Sequence, residues 1–282
     1  MLTKAPNFGI DDRFDTIYQF CEILNPIWSA PAGEQWRLDL RNCTYLGPDA
    51  ATLTYTTFLR GAENGQRPEV LLPDTPLALA AFCQFSGMKH YLAGGKFPTT
   101  DHPECETEPL RRFYQVVGNQ SAPVVELVRR HMEISDDNEV YLSAAFQEVV
   151  QNIEDHAASP IGGVTCARFF SCSGDIRVAV VDLGVGFSGS LRNVLGEIPA
   201  VDALRRVLVD GVSGKSRDTN MGLGLSHLAN FVRNLRGELI VLTHDAVARL
   251  DSGKQDFEFQ RVGVFFPGTA IFFRLNIKTR VG

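Results

Sequence analysis

Hydrophobic residues in the segment 141–157 recur with the period of an α-helix. The apolar positions, at steps of four, three and four residues, are Leu142, Phe146, Val149 and Ile153. A polar stripe follows the same predicted helix roughly a third of a turn away and consists of Glu148, Asn152, Asp155 and His156. Its carboxylate could act as a general base, and its amide oxygen could bind a hard cation. A solvated face on an ordinary amphipathic helix explains the same stripe, so its meaning depends on the neighbouring motifs.

Two glycine-containing motifs downstream give that context. Residues 177–181 form an apolar run typical of a buried strand, and the run leads directly into Asp182-Leu-Gly184-Val-Gly186. Further along, Gly222-Leu223-Gly224 precedes a helical pattern at 226–235. In this order the three pieces resemble the nucleotide site of the GHKL ATPases, a class that includes gyrase and the histidine kinases. The resemblance covers about residues 110–277 and implies an α/β sandwich that binds Mg-ATP.

The resemblance also implies roles for individual residues. Glu148 would orient or deprotonate the attacking nucleophile, Asn152 would hold Mg²⁺, and Asp182 would accept a hydrogen bond from the exocyclic amine of adenine. Glycines let backbone N–H groups close on phosphate oxygens, and a helix N-terminus adds a favourable dipole. The other positions implied in nucleotide binding are His156, Gly184, Gly186, Lys215, Gly222, Leu223, Gly224 and Thr269. For Lys215, a solvated side chain is the competing interpretation.

A Rossmann dinucleotide site is the main alternative, because Gly184, Gly186 and Gly189 also spell GxGxxG. That site requires a helix that starts within the glycines and a βαβ unit. Residues 187–199 instead predict a broken segment, which disfavours the dinucleotide site.

The segment 190–220 is predicted to form a flexible lid over the phosphates, with a short helix at 202–209. Within it, Ser213-Gly214-Lys215-Ser216 imitates the end of a P-loop. Val209 occupies the position of the first P-loop glycine, so the P-loop interpretation fails.

The first 95 residues alternate between strand and helix patterns. Strands are predicted at 36–40 and 69–72, and helices at 50–62 and 76–85. This pattern resembles a STAS domain, the fold of the anti-anti-sigma factors, in which the partner kinase phosphorylates a serine at the start of the first of these helices. Here the matching turn, Gly47-Pro48-Asp49-Ala50, has no hydroxyl to accept phosphate. Asp49 is expected to cap the helix instead.

Length and composition favour two structural units. A chain of 282 residues is long for one domain, and residues 96–109 combine three prolines with mixed charge and no apolar periodicity. We therefore predict a STAS-like α/β domain at 1–95, a linker at 96–109 and a GHKL α/β sandwich at 110–282. In the sandwich we expect a mixed sheet with helices on one face.

Charge and hydropathy narrow the choice of partners. The net charge is −6 and 21% of the residues are charged, without long basic or acidic runs, so neither nucleic acid nor a membrane surface is an expected partner. No apolar run approaches the roughly 20 residues that span a bilayer, and the first residues lack the apolar core of a signal peptide. We therefore expect a cytoplasmic protein. The six cysteines have no paired zinc-site spacing and are expected to be free thiols.

Two functions remain open at this stage. The order of strand, helix and 141–157 helix resembles the serine-kinase anti-sigma factors, which implies a kinase for a hydroxyl of a STAS-like or sigma-factor-like partner. The alternative is a nucleotide-driven clamp that binds or slowly hydrolyses ATP to change its association state, with a homodimer as one such state. Both functions use ATP and Mg²⁺ as cofactors.

Overall fold

A computed structural model describes residues 2–4, 14–95, 106–115, 118–209 and 224–276. The N-terminal segment contains a parallel sheet of order β1-β2-β3 with helices between its strands. Its elements are β1 (Leu2–Lys4), α1 (Phe14–Trp28), β2 (Gln35–Asp39), α2 (Pro48–Glu63), β3 (Arg67–Leu71), α3 (Leu77–Phe85) and α4 (Met88–Leu92). Helix α1 was not predicted, whereas the strand and helix patterns after it were located to within a few residues.

The C-terminal segment contains a sheet of order β4-β5-β6-β8-β7. Its elements are β4 (Thr107–Phe113), α5 (Ala122–His131), α6 (Asp136–Asn152), a π-helical turn (Ile153–Ala157), β5 (Gly163–Phe170), β6 (Asp175–Asp182), α7 (Gly186–Leu195), α8 (Ala200–Leu208), α9 (Gly224–Asn234), β7 (Glu238–Leu250) and β8 (Glu258–Asn276). The predicted α/β class is confirmed. The pairings of this sheet are all antiparallel rather than mixed, because β5–β6 and β7–β8 are hairpins and β8 returns antiparallel to β6.

Helices α5 to α9 pack on one face of this sheet, as the sequence predicted. The apolar stripe of α6 supplies the centre of that core, where Leu142 and Phe146 have no exposed surface. Phe146 meets Phe273 of β8 with ring centroids 6.5 Å apart in an edge-on arrangement. Burial of each such side chain stabilises the fold by about 1.5–3 kcal/mol, so this face fixes the position of α6 on the sheet.

The N-terminal segment packs on the opposite face of the same sheet. Its buried side chains, such as Trp36 and Phe82, belong to one hydrophobic cluster with Phe266 and other residues on the back of the sheet. Trp28 of α1 meets Phe266 edge-on at 5.2 Å. The Tyr18 hydroxyl accepts a hydrogen bond from the Gly263 N–H at 2.6 Å. The two segments of the chain therefore share a core, and their separation into units at 1–95 and 110–282 stays a prediction.

The start of α2 differs from the prediction. Gly47 occupies the capping position, and Asp49 lies in the first turn with its Oδ1 atom buried and without a hydrogen-bond partner among the described residues. Burial raises the pKa of this carboxyl. The prediction that Asp49 caps the helix is wrong, because Pro48 is the first helical residue and the cap lies at Gly47, two positions before Asp49.

None of the helices within the described ranges is long and apolar enough to cross a bilayer.

Candidate functional site

Helix α6 ends in a change of helical pitch that selects which polar residues face inward. Ser135 caps the helix by accepting a hydrogen bond from the Asn138 N–H at 3.3 Å, and the chain continues beyond Asn152 as a π-helical turn. Because a π turn uses i→i+5 bonding, residues after Asn152 rotate away from their α-helical positions. His156 lines a cavity together with Asn152, whereas Asp155 is exposed and accepts a hydrogen bond from Gln151.

The cavity lies between the sheet and the helices α6, α7, α8 and α9. About 720 Å³ of empty space lies between its walls and within its open mouth. Its wall is mainly apolar, and polar groups enter it at a few points, namely Asn152, His156, Asp182, Ser190 and Thr269. A flat apolar ring with one polar edge fits such a wall better than a strongly charged ligand does. A charged part of the ligand would have to extend toward the cavity mouth.

Asp182 is the most buried polar group of this cavity. It ends β6 with 2% of its surface exposed, and its Oδ1 accepts a hydrogen bond from the Gly184 N–H at 2.8 Å. Burial raises the pKa of Asp182 to about 7, against the opposing effect of hydrogen bonds from Gly184 and Thr269. The cross-strand register pairs Asp182 with Thr269 on β8. A carboxyl held in this way is an oriented acceptor for an N–H donor of a ligand.

The first glycine motif packs directly on the end of the 141–157 helix. A side chain on Gly184 would collide with the carbonyl of Ala157, and the Val185 N–H donates to that carbonyl oxygen at 2.8 Å. The requirement for glycine at 184 therefore comes from a backbone contact between two motifs. This contact fixes Asp182 relative to Asn152 and His156.

Gly186 begins α7 in a left-handed conformation, with φ of +61°. The prediction of a broken segment at 187–199 is wrong as far as Leu195, because α7 is a regular helix up to that residue, and residues 196–199 connect it to α8. A helix does start within the glycines, so that criterion no longer separates the GHKL and Rossmann alternatives. The direction of the strands does: β6 is antiparallel to both neighbours, β5 and β8, and cannot belong to a parallel βαβ unit.

Glu148 lies beside the cavity wall, one helical turn before Asn152. It is half-buried and packs on Gly224, the first residue of α9. Leu225, the next residue, lines the cavity. Helix α9 thus contacts both the cavity and the proposed base.

The short helix predicted at 202–209 within the lid segment is confirmed. Residues 200–208 form α8, in which Ala203 and Leu204 have no exposed surface. This packing arises because the apolar residues of α8 follow a helical period. The predicted phosphate-binding residues Lys215, Gly222 and Leu223 lie outside the described residues.

Several cavity residues were missed in the sequence. Phe187 and Leu191 line the cavity from α7, Val207 from α8 and Leu225 from α9. The spacing of Phe187 and Leu191, four residues apart, was a helical signal. Thr243 does not line the cavity but contacts its wall at Phe187, and it was missed for a different reason, since only the pairing of β7 with β8 brings it there.

Among the described residues, no group of three or more His, Cys, Asp and Glu side chains is arranged to hold a metal ion. Asn152 brings a neutral amide oxygen to the cavity wall.

Comparisons with known proteins add little to this geometry. No protein-family model matches the sequence, and no curated protein matches it either. Among solved structures, the chain is similar to a topoisomerase IV ATP-binding domain of Francisella tularensis in complex with a small-molecule inhibitor, with a TM-score of 0.25 and 18% sequence identity. The match covers 62% of this chain and 44% of that one. The chain therefore spans less than half of that protein, and the site is argued from its own contacts.

Proposed function

We propose that this chain is a Mg-ATP-binding regulatory protein of the GHKL type. The observation that carries the proposal is Asp182, a buried and oriented acceptor in a largely apolar cavity. Adenine has an apolar face and an amine on one edge, which is the chemistry that this cavity fits. A guanine ring would place a carbonyl oxygen against the same carboxyl, so the site should discriminate against it.

The polar residues of α6 support the same assignment. Asn152 lines the cavity and offers the neutral oxygen that Mg²⁺ accepts when phosphates and water supply its other ligands. Glu148 lies one turn earlier and is proposed to orient or deprotonate the nucleophile. Catalysis in such a site depends mainly on positioning and on neutralising charge. The site would therefore hold Mg²⁺ through Asn152, the nucleophile through Glu148 and the adenine base through Asp182.

Of the two functions left open by the sequence, we favour a serine/threonine kinase that acts on a separate protein. The STAS-like turn of this chain has Asp49 where an acceptor serine is expected, and α2 packs on the face of β5 and β6 opposite the cavity. The chain's own turn is therefore unsuited to be the acceptor, both by chemistry and by position. A STAS-like or sigma-factor-like partner would supply the hydroxyl.

A nucleotide-driven clamp is the second candidate. It is favoured by the shared core, because any movement of β5 and β6 on nucleotide binding is transmitted to α2 by direct packing. In that case ATP binding would change the association state of the protein without transfer to a protein substrate.

Labelled ATP distinguishes the two candidates. The protein is incubated with Mg²⁺ and ATP labelled at the γ-phosphate, with and without a cell lysate. Label on a protein band supports the kinase, whereas free phosphate or a nucleotide-dependent change in mass by light scattering supports the clamp. Absence of ATP binding by calorimetry would remove both.

A further inference from the structure

A row of three polar residues crosses β6, β8 and the edge strand β7 at the end of the sheet next to the cavity. Asp182 of β6 pairs with Thr269 of β8, and Thr269 pairs in turn with Thr243 of β7. Directly opposed residues of antiparallel strands place their side chains on the same face. Thr243 therefore belongs to the cavity face of the sheet, although it has no exposed surface.

The hydroxyl of Thr243 connects two separate parts of the cavity wall. It donates a hydrogen bond to the carbonyl oxygen of Gly268 at 2.8 Å. It also accepts a longer hydrogen bond from the backbone N–H of Phe187 at 3.4 Å. Gly268 directly precedes Thr269, and Phe187 lines the cavity from the first turn of α7. One buried hydroxyl thus holds both Gly268, which precedes the strand partner of Asp182, and the start of α7.

The backbone around Thr243 leaves room for this hydroxyl. The ladder between β7 and β8 shifts register on both sides of His244, which adopts a left-handed backbone with φ of +49°. A β-carbon on Gly186 would stand 2.5 Å from Thr243 Oγ1 and 2.9 Å from His244 Nε2. Such a bulge with a non-glycine left-handed residue costs conformational energy. Its effect is to bring Thr243 and His244 against the first glycine motif.

We infer that Thr243 is a positioning residue for base recognition, which acts by holding Thr269 and Phe187 in place around Asp182. This inference rests on the proposed binding of an adenine nucleotide and deepens it. Without the hydroxyl, the Gly268 carbonyl and the Phe187 N–H lose a partner inside the fold, and Asp182 loses the fixed direction of its neighbour Thr269. Affinity and base discrimination should both suffer.

Nucleotide binding by variants at position 243 tests the inference. Thr243→Val removes the hydroxyl at nearly constant volume and should weaken ATP binding about tenfold, the order expected for one buried hydrogen-bonding group. The preference for ATP over GTP, measured by calorimetry, should shrink by a similar factor. Thr243→Ser keeps the hydroxyl and should retain both. If Thr243→Val does not fold, the pair Thr243→Ser and Thr243→Ala makes the same comparison.

Thr57→Val is the matched control for loss of a buried threonine hydroxyl. Thr57 is 1% exposed and accepts a hydrogen bond from Trp28 Nε1 at 2.9 Å in the N-terminal layer. It should lower the melting temperature without changing the ATP affinity or the ATP preference. Wild-type affinity and preference in Thr243→Val, or equal loss in Thr243→Ser and Thr243→Ala, would overturn the role of the hydroxyl. Wild-type protein that binds no adenine nucleotide would overturn the proposed function instead.

Discussion

The α-carbon of Gly224 lies directly against the side chain of Glu148. A β-carbon at position 224 would stand 2.6 Å from both Cβ and Cγ of Glu148 and 2.7 Å from its carboxyl carbon. Real β-carbons do not approach other atoms so closely, and the neighbour is a helix-borne side chain that has to move. The N-terminus of α9 therefore determines where the Glu148 carboxylate can lie.

Gly224→Ala should impair the chemical step more than nucleotide binding. The added methyl group displaces Glu148 from its position beside α9, and a displaced general base loses at least about tenfold in rate. Turnover and phosphoryl transfer are measured alongside the ATP dissociation constant. Equal rates in Gly224→Ala and wild type would show that the contact does not position the base.

Glu148→Ala and Asn152→Ala should separate chemistry from binding. Glu148→Ala should still bind ATP but lose turnover and transfer by about 10²-fold or more. Asn152→Ala should lose the Mg²⁺-dependent part of the nucleotide affinity, because a ligand oxygen is removed. Calorimetry with and without Mg²⁺ measures the second effect, with Asp155→Ala as the control on the same helix. Loss of ATP binding in Glu148→Ala to the same extent as in Asn152→Ala would refute this division of roles.

Asp182→Asn should weaken ATP binding strongly. GTP should be a poor ligand of the wild-type protein. The carboxyl is a pure acceptor when ionised, whereas the amide presents a donor and an acceptor on the same scaffold. Well above pH 7, where the Asp182 carboxyl is ionised, a charge-assisted hydrogen bond is about twice as strong as a neutral one, so a loss of about tenfold or more is expected there. Titrations with ATP and GTP check this. Equal affinities of the wild-type protein for the two nucleotides would contradict adenine recognition by Asp182.

The stability of the protein should fall with rising pH between about 4 and 7 because of Asp182. Its pKa rises from an ordinary value of 3.8 to about 7 in the folded chain, so the folded state holds a proton in this range that the unfolded state has released. Stability is therefore fully present below about pH 4 and declines until about pH 7. The contribution is up to about 1.4 kcal/mol per pH unit.

Urea unfolding of wild type and Asp182→Asn at several pH values measures this contribution. The free energy of unfolding of wild type relative to Asp182→Asn should decrease as pH rises through this range and become constant above it. Using the difference between the two proteins cancels the titrating groups that lie far from Asp182. Parallel curves for the two proteins would mean that Asp182 titrates normally.

Limited proteolysis should cut first between residues 96 and 105, and the two fragments should remain together. The sequence there is rich in proline and polar residues, which favours cleavage. The fragments share a hydrophobic cluster that joins Trp36 and Phe82 to Phe266, so separating them would expose these side chains to water. Size-exclusion chromatography of the nicked protein, followed by a denaturing gel, shows whether both fragments elute in one peak. Separate elution would demonstrate two independent cores.

The sequence determined those features of the site that depend on local order along the chain. The period of Leu142, Phe146 and Val149 fixed α6 and its buried face, because a helix repeats its environment every three to four residues. The apolar run before Asp182 fixed a buried strand with a carboxyl at its end. The resemblance to the GHKL nucleotide site then placed Asn152, His156 and Asp182 in one candidate site, which neither pattern does by itself.

Only the tertiary structure decided which distant segments complete that site and cover the sheet. The π-helical turn after Asn152 removed Asp155 from the inward face, although α-helical spacing had grouped it with His156. Gly186 and Thr243, 57 positions apart in the sequence, meet because β7 pairs with β8 and shifts register beside His244. Periodicity shows that a surface is apolar but not which surface buries it, since that choice depends on the shape and volume of both partners. For the same reason, the sequence of neither segment alone predicts that the N-terminal segment packs on the back of β5 and β6.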